Sequence, residues 1–255
     1  MTASAGQNRT PIRAVVLGGT GYVGAEICRQ LRRDGHRVAF SYHSREARAQ
    51  ALSAEIQATG YALDLADPAT IPATLQRMVD ELGGLDALII AAGVATAHRK
   101  NDAFVVPKWD EIDPAAFARM LAVNVMGAFF SCQWAGAFMR QQQAGRIVMI
   151  GSIDGVKSVP SPADYACCKA ALVGMVQSLS KDLGPHGILV NLVAPGILNG
   201  GIASLLHADL QAEYLKHCTL RRVGTPDEIA RWVCFLVGPE NTYLTGQTVI
   251  LDGGL

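Results

Sequence analysis

Seven short runs of β-branched or apolar residues, most of them separated by a longer stretch of helical spacing, constrain this chain more than any other feature. The runs are RAVVLG (13–18), RVAFSY (37–42), YALDL (61–65), DALIIAA (86–92), RIVMIGS (146–152), ILVNLVA (188–194) and TVILDG (248–253). Parallel strands need a crossover between them, and strands buried on both faces lose polar alternation. The expected fold class is therefore α/β: a doubly wound parallel sheet of seven strands in a single domain over residues 11–255. Residues 1–10 read as a flexible tail. The one long stretch without a strand, 195–247, reads as helix and loop able to fold over a site, with 196–224 as a lid.

In such a sheet, ligands bind beyond the carboxyl ends of the strands, where the strand order reverses. The first run ends in LGGTGYVGAEICRQL, with Gly18, Gly21 and Gly24 opening a helix. Glycines there let backbone N–H groups approach a pyrophosphate at the positive end of the helix. A glycine triplet alone also suits any tight strand-to-helix turn; its place after the first strand favours a dinucleotide. The second run ends in Tyr42, His43, Ser44 and Arg45, where an acid ordinarily grips both ribose hydroxyls of NAD, and Glu46 comes only afterwards.

A second candidate site lies in PSPADYACCKAALVGMVQSLSKDLGPHG. Ser161 suits an N-cap, Pro162 a first helical position and Asp164 the first turn, while Gly184 and Pro185 stop the helix. Tyr165 and Lys169, four apart, share a face. So much of this segment is apolar that it should be buried on more than one side, where a lysine ammonium is costly unless partnered. A packed phenol beside a snorkelling lysine is the commoner meaning of Y-x-x-x-K, so the pair needs support from elsewhere.

The 22 basic residues balance 22 acidic ones, which leaves no nucleic-acid footprint. No apolar stretch is expected to reach the length of a membrane span, and the first residues lack a secretory apolar core, so a cytoplasmic location is expected. Cys28, Cys132, Cys167, Cys168, Cys218 and Cys234, and His36, His43, His98, His186, His207 and His217, show no metal-ligand spacing. No metal is expected, and the cysteines read as reduced and mostly buried.

With the glycine turn, NVMGAFF at Asn124, IVMIGSIDG at Ser152, YACCK, VNLVAPG and LTGQTVILDGG in order, the chain resembles the short-chain dehydrogenase/reductase family over nearly its whole length, nearest in appearance to 3-oxoacyl-[acyl-carrier-protein] reductases. The resemblance implies a Rossmann-type fold and a catalytic set of Asn124, Ser152, Tyr165 and Lys169. Tyr165 would exchange the proton with the substrate oxygen, Lys169 would lower its pKa and hold the nicotinamide ribose, Ser152 would bond the substrate oxygen and Asn124 would hold a relay water. Cofactor contacts would come from Gly18, Thr20, Gly21, Tyr22, Val23 and Gly24 in the turn, and from Tyr42, His43, Ser44 and Arg45 after the second strand. Asp64 and Leu65 would meet the adenine, Ala92 and Gly93 the neighbouring ribose, and Pro195, Gly196 and Leu198 the carboxamide. Leu17, the run Ile90, Ala91, Ala92, Gly93, and Gly200 depart from the family pattern. An epimerase-like enzyme and a non-catalytic dinucleotide-binding regulator are the alternatives.

NADPH is expected over NADH, because Ser44, His43 and Arg45 can bond a 2′-phosphate, although Gly21 stands where a second basic residue is common. The implied substrate is a small-molecule ketone or an acyl thioester, with an acyl carrier protein as a possible partner. Gln143 and His186 stand where carrier-binding arginines are often found at the site entrance, with Arg140, Lys181, Arg221 and Arg222 as possible substitutes. Ile197, Leu198, Ile202, Leu205, Leu206 and Leu210 would make the lid apolar. A homotetramer is expected from the resemblance and from small residues Ala166, Ala170 and Gly174 on the Tyr165 helix beside the apolar MGAFFSCQWAGAFM helix.

Overall fold

The protein is described from a computed structural model over residues 10–95, 98–100, 103–105, 108–201 and 208–255. Its centre is a parallel sheet of β1 (Arg13–Leu17), β2 (Arg37–Tyr42), β3 (Thr59–Ala62), β4 (Ala87–Ile90), β7 (Gly145–Ile150), β8 (Ile188–Pro195) and β9 (Thr248–Leu251), in the order β3-β2-β1-β4-β7-β8-β9. All seven expected strands are present. The order reverses between β1, which pairs with β2 on one side, and β4 on the other. The cleft of a doubly wound sheet opens there.

Helices cover both faces, which is why the central strands are apolar throughout. On one face α1 (Tyr22–Arg33), α2 (Glu46–Ile56) and α8 (Pro226–Val237) bury Ile27, Leu31, Leu52, Val233 and Leu236 against Val16, Phe40 and Ile89. On the other, α3 (Ile71–Leu82), α5 (Gly127–Gln142) and α6 (Ala163–Leu183) bury Leu75, Met78, Met139, Leu172 and Val176 against Val15, Leu88 and Ile147. Burial of each such side chain contributes about 1.5–3 kcal/mol. Thr225 and Glu228 form a capping box at the start of α8, with Pro226 at its first position.

Several expectations are corrected. β3 begins and ends earlier than 61–65, because its ladder pairs Thr59 with Ala39 and Ala62 with Tyr42; Leu63, Asp64 and Leu65 therefore lie past its carboxyl end. The first bond of α6 runs from Ala166 N to Pro162 O, so Pro162 rather than Ser161 is the N-cap, and Asp164 accepts from the Tyr165 amide. That helix is buried on one side only. It lies on the outside of the sheet, leaving Ala163, Cys167, Ala170, Ala171 and Gly174 exposed. Four of the six cysteines are buried and all are free.

The helical run Pro114–Gln142, which joins α4 (Pro114–Leu121) to α5 through a wide π turn (Ala122–Met126), has the length and hydropathy to cross a membrane, contrary to the expectation that no stretch would. Each half is short and apolar for another reason: Met120, Ala128, Cys132, Ala135 and Met139 face the core at helical spacing. A two-stranded antiparallel ribbon, β5 (His98–Lys100) and β6 (Ala103–Val105), follows β4 and has no counterpart in the sequence reading. Beyond β8, Leu198 bridges Gly224, and α7 (Ala208–His217) is fastened by Tyr214, whose hydroxyl donates to Asp252 O and accepts from Ile197 N. Residues 1–9 of the expected tail and Ile202, Leu205, Leu206 and His207 lie outside the described residues.

Candidate active site

The turn after β1 is built for close approach of backbone. Gly18 has φ +83°, and a Cβ there would come within 2.6 Å of the Ala92 backbone. At Gly24 a Cβ would fall 2.2 Å from Gly18 O, so the first turn of α1 sits directly on the loop. Ser41 on β2 holds this loop from the side: its Oγ accepts from Gly18 N and its carbonyl from Gly19 N. Gly21, the N-cap of α1, has no side chain to answer the amides that follow, and the first turn carries no acid. These are the properties of a seat for a diphosphate, and the cradle fits a dinucleotide. Thr20 is buried, and Tyr22 and Val23 start the helix.

The expected catalytic residues come together at the carboxyl ends of β4 and β7. Asn124 is 2 % exposed on the π turn; its Oδ1 accepts from Val94 N at 2.8 Å and its Nδ2 donates to Val94 O at 2.8 Å. The widened turn accommodates this clamp on the loop after β4. Lys169 Nζ donates to Ile150 O at 3.0 Å. A Cβ on Gly93 would lie 3.3 Å from Asn124 Oδ1 and 3.4 Å from Lys169 Nζ, so Ala92 and Gly93 border both side chains. Tyr165 packs against Met120 and Cys168, and Lys169 Nζ stands 5.5 Å over its ring centroid. Ser152 follows β7 and caps a short turn at Ile153–Gly155.

Burial lowers the Lys169 amine to about 8, with Cys168 and Asp154 opposing. Burial also raises the Tyr165 phenol, the charge of Asp154 pushes the same way and a hydrogen bond with Ser152 opposes. The expected lowering of Tyr165 by Lys169 is therefore not what these surroundings produce: the ammonium stands over the ring while the phenol is desolvated.

Past the end of β3, where the adenine contact is expected, Asp64 accepts from Ala66 N, and its other oxygen lies 3.5 Å from both His43 Nε2 and Arg119 Nη2. Burial raises its carboxyl, but the Ala66 amide, His43 and Arg119 outweigh that and leave it lowered. Leu65 is buried, while His43, Ser44 and Arg45 are exposed after β2, with Tyr42 partly covered. Pro195 ends β8, Gly196 N donates to Leu251 O, and Leu198 is partly buried. The departure at Ile90 and Ala91 is covered by main chain, since Ala91 N donates to Leu17 O.

Four residues escaped the sequence reading. Arg119 reaches Asp64 from α4, with no local signal. Asn199 accepts from the Tyr22 hydroxyl at 2.7 Å, and Gly200 packs on the Tyr22 ring. Tyr214 fastens α7. Asp154 lies 2.6 Å from Ser152 Oγ, and the spacing Ser-x-Asp could have revealed it. Gln143 and His186 touch at 3.2 Å, but they precede β7 and β8. They sit at the amino ends of those strands, about 20 Å of strand away from Ser152 of the same chain. Among the described residues no group of three His, Cys, Asp or Glu is placed to hold a metal.

A sheet reversing at β1 and β4, a glycine cradle beneath α1 and a buried Tyr–Lys pair beside Ser and Asn define an oxidoreductase of the dinucleotide-binding kind. A family model described as enoyl-(acyl carrier protein) reductase matches residues 21–255, and the chain belongs to the short-chain dehydrogenase/reductase family. It is 31 % identical over 247 residues to the 3-oxoacyl-[acyl-carrier-protein] reductase FabG of Staphylococcus aureus, covering 95 % of this chain and 97 % of that one. It is 29 % identical over 259 residues to the 3-oxoacyl-[acyl-carrier-protein] reductase MabA of Mycobacterium tuberculosis, covering 100 % and 98 %. A short-chain dehydrogenase from Burkholderia cenocepacia, solved in complex with NADP, superimposes with a TM-score of 0.85 at 32 % identity, over 95 % of this chain and 97 % of that one.

Proposed function

We propose that this protein is an NADPH-dependent reductase of a β-ketoacyl group or a similar medium-sized hydrophobic ketone, with Tyr165 as the general acid. The observation that carries the reading is the convergence of Asn124, Ser152, Tyr165 and Lys169 at the strand ends beside the glycine cradle. The 3-oxoacyl reductases and the NADP-bound relative support it. Among the described residues, those after β8 return to the same sheet through β9, which favours a reductase over the epimerase-like alternative.

In this reading the loop at Gly18–Gly24 and the amides opening α1 hold the diphosphate. Asp64, Leu65, Ala92 and Gly93 line the adenosine side, and the main chain at Pro195, Gly196 and Leu198 lines the carboxamide. His43, Ser44 and Arg45 hold the 2′-phosphate, since no carboxylate ends β2. The bound nicotinamide supplies the hydride. Tyr165, its phenol kept protonated by burial, gives its proton to the carbonyl oxygen. Ser152 bonds that oxygen, and Lys169 binds the ribose and passes a proton inward past Asn124. A cytoplasmic location belongs to the same proposal.

Dependence on a protein carrier is weak in this reading. In the 196–224 lid, Arg222 is already paired with Glu228, which leaves Arg221, hydrogen-bonded to the neutral carbonyls of Leu215 and Lys216, to offer its charge to an acidic partner without a second arginine beside it. The test compares kcat/KM for one β-ketoacyl group as a carrier-protein thioester and as a small thioester mimic. Comparable values support the reading; a large, salt-sensitive advantage for the carrier form refutes the weak dependence, and inactivity with both removes the acyl assignment.

Two exposed apolar patches support a homotetramer: Met126 at the end of the π turn with Phe129 on α5, together with the small exposed residues Ala170 and Gly174 of α6, and Trp232 with Phe235 on α8. Sedimentation of a monomer at micromolar concentration would refute it.

A further inference from the structure

Asp154 is half-buried two residues past Ser152, in a turn that cannot easily move. A Cβ on Gly155 would fall 2.5 Å from the Lys169 carbonyl carbon, so the turn rests directly on the backbone of α6. Asp154 Oδ2 lies 2.6 Å from Ser152 Oγ, and Asp154 N donates to the same oxygen at 3.3 Å. The titratable groups that face it are Tyr165 and Lys169 from α6 and Tyr214 from α7. Nothing in the reaction derived above uses this carboxyl.

We propose that Asp154 is a positioning residue for the reaction: as an acid it donates to Ser152 Oγ and leaves the Ser152 hydroxyl free to donate to the substrate oxygen, and as a carboxylate it accepts the Ser152 hydrogen bond itself. The inference rests on the reductase reading. A hydroxyl has one proton and two lone-pair sites, so Ser152 cannot give the same proton to both partners. A separation of 2.6 Å suits either arrangement, O–H to carboxylate or carboxylic O–H to hydroxyl. The charged arrangement turns Ser152 lone pairs toward the substrate and sets a negative charge beside an oxygen that becomes more negative in the transition state. In the neutral arrangement Asp154 donates to Ser152 and Ser152 donates to the substrate oxygen, the first bond polarising the second. Burial raises the Asp154 carboxyl above its ordinary value, with Ser152 and Lys169 opposing, so the exchange falls at a higher pH than for a free aspartate.

The experiment measures kcat/KM against pH for reduction of one ketone by NADPH in the parent protein, Asp154→Asn and Asp154→Ala, with thermal unfolding alongside. The parent is expected to lose about tenfold as Asp154 gives up its proton. Asp154→Asn, whose amide can donate to Ser152 at every pH, should keep most of the acid-side rate and lack that fall. Asp154→Ala should lack the fall and run below Asp154→Asn throughout. A fall that persists in Asp154→Asn, or an Asn variant no faster than the Ala variant, overturns the inference, as does a change in thermal unfolding with unaltered pH profiles. A parent protein that binds NADPH but reduces no ketone removes the reductase reading and this inference with it, whereas an active parent with an unmoved profile removes only the role of Asp154.

Discussion

The Tyr22 hydroxyl donates to Asn199 Oδ1 at 2.7 Å, joining the start of α1 to the loop after β8 across 177 residues of chain. The ring beneath that hydroxyl occupies space that side chains at positions 200 and 201 would need: a Cβ on Gly200 would lie 2.6 Å from Tyr22 Cζ, and one on Gly201 would lie 3.1 Å from Tyr22 Cβ. The large residue on the cofactor turn and the two small ones after β8 are therefore a matched set.

Gly200→Ala should destabilise the fold by about 1–3 kcal/mol by overpacking against that ring, and Gly200→Ala in a Tyr22→Ala background should cost much less. Urea unfolding of the two single variants and the double variant gives the coupling. Additive effects would show that the ring simply swings away.

Tyr165→Phe should lower kcat by at least about a hundredfold while leaving NADPH affinity little changed, since it removes a proton donor and almost no packing. Steady-state kinetics with a fluorescence titration of NADPH checks it. Retention of more than about a tenth of parental kcat would dismiss Tyr165 as the acid.

Arg45→Ala should cut kcat/KM with NADPH by about tenfold and leave the value with NADH nearly unaltered, because a guanidinium–phosphate bond is lost only with the phosphorylated cofactor. Equal losses with both cofactors would place the 2′-phosphate elsewhere.

Lys169→Met should inactivate the protein yet stabilise it near neutral pH. Burial lowers this amine from 10.5 to about 8. Between those values the unfolded chain holds a proton that the folded chain has shed, so stability rises with pH across that window, and below it the folded chain bears the whole cost of a buried ammonium. The variant should gain about 2 kcal/mol at about pH 7, and the gain should shrink toward about pH 10. Urea unfolding at both pH values decides it; a gain that does not shrink would mean the charge is not what the substitution relieves.

The sheet was legible because its strands are buried on both faces, so seven apolar runs stand out between glycine turns. Ser152, Tyr165 and Lys169 were legible because short loops and one helix fix their spacing. What stayed hidden depends on pairing across the chain. Asn199 meets Tyr22 only because β8 and β1 end on the same edge of the sheet. Arg119 meets Asp64 only because α4 crosses over the end of β3, and the early end of β3 follows from its ladder with β2 rather than from its own apolar pattern. Gln143 and His186 stand out by resemblance to carrier-binding positions, and within one chain the parallel strands carry them to the edge opposite Ser152.

The wide turn at Ala122–Met126 makes Pro114–Gln142 one helix with two phases. Before it, Met120 packs with Tyr165 and Cys168; after it, Ala128, Cys132, Ala135 and Met139 line the core. One surplus residue supplies about 100° of rotation between those two faces. Loss of a single codon within 122–126 would restore an even spiral and preserve the reading frame, yet it would turn one half of the helix away from its partners. In evolutionary terms this segment is open to replacement at its exposed Met126 and closed to length change: a new side chain there alters the surface, whereas a shorter turn moves the floor beneath Tyr165.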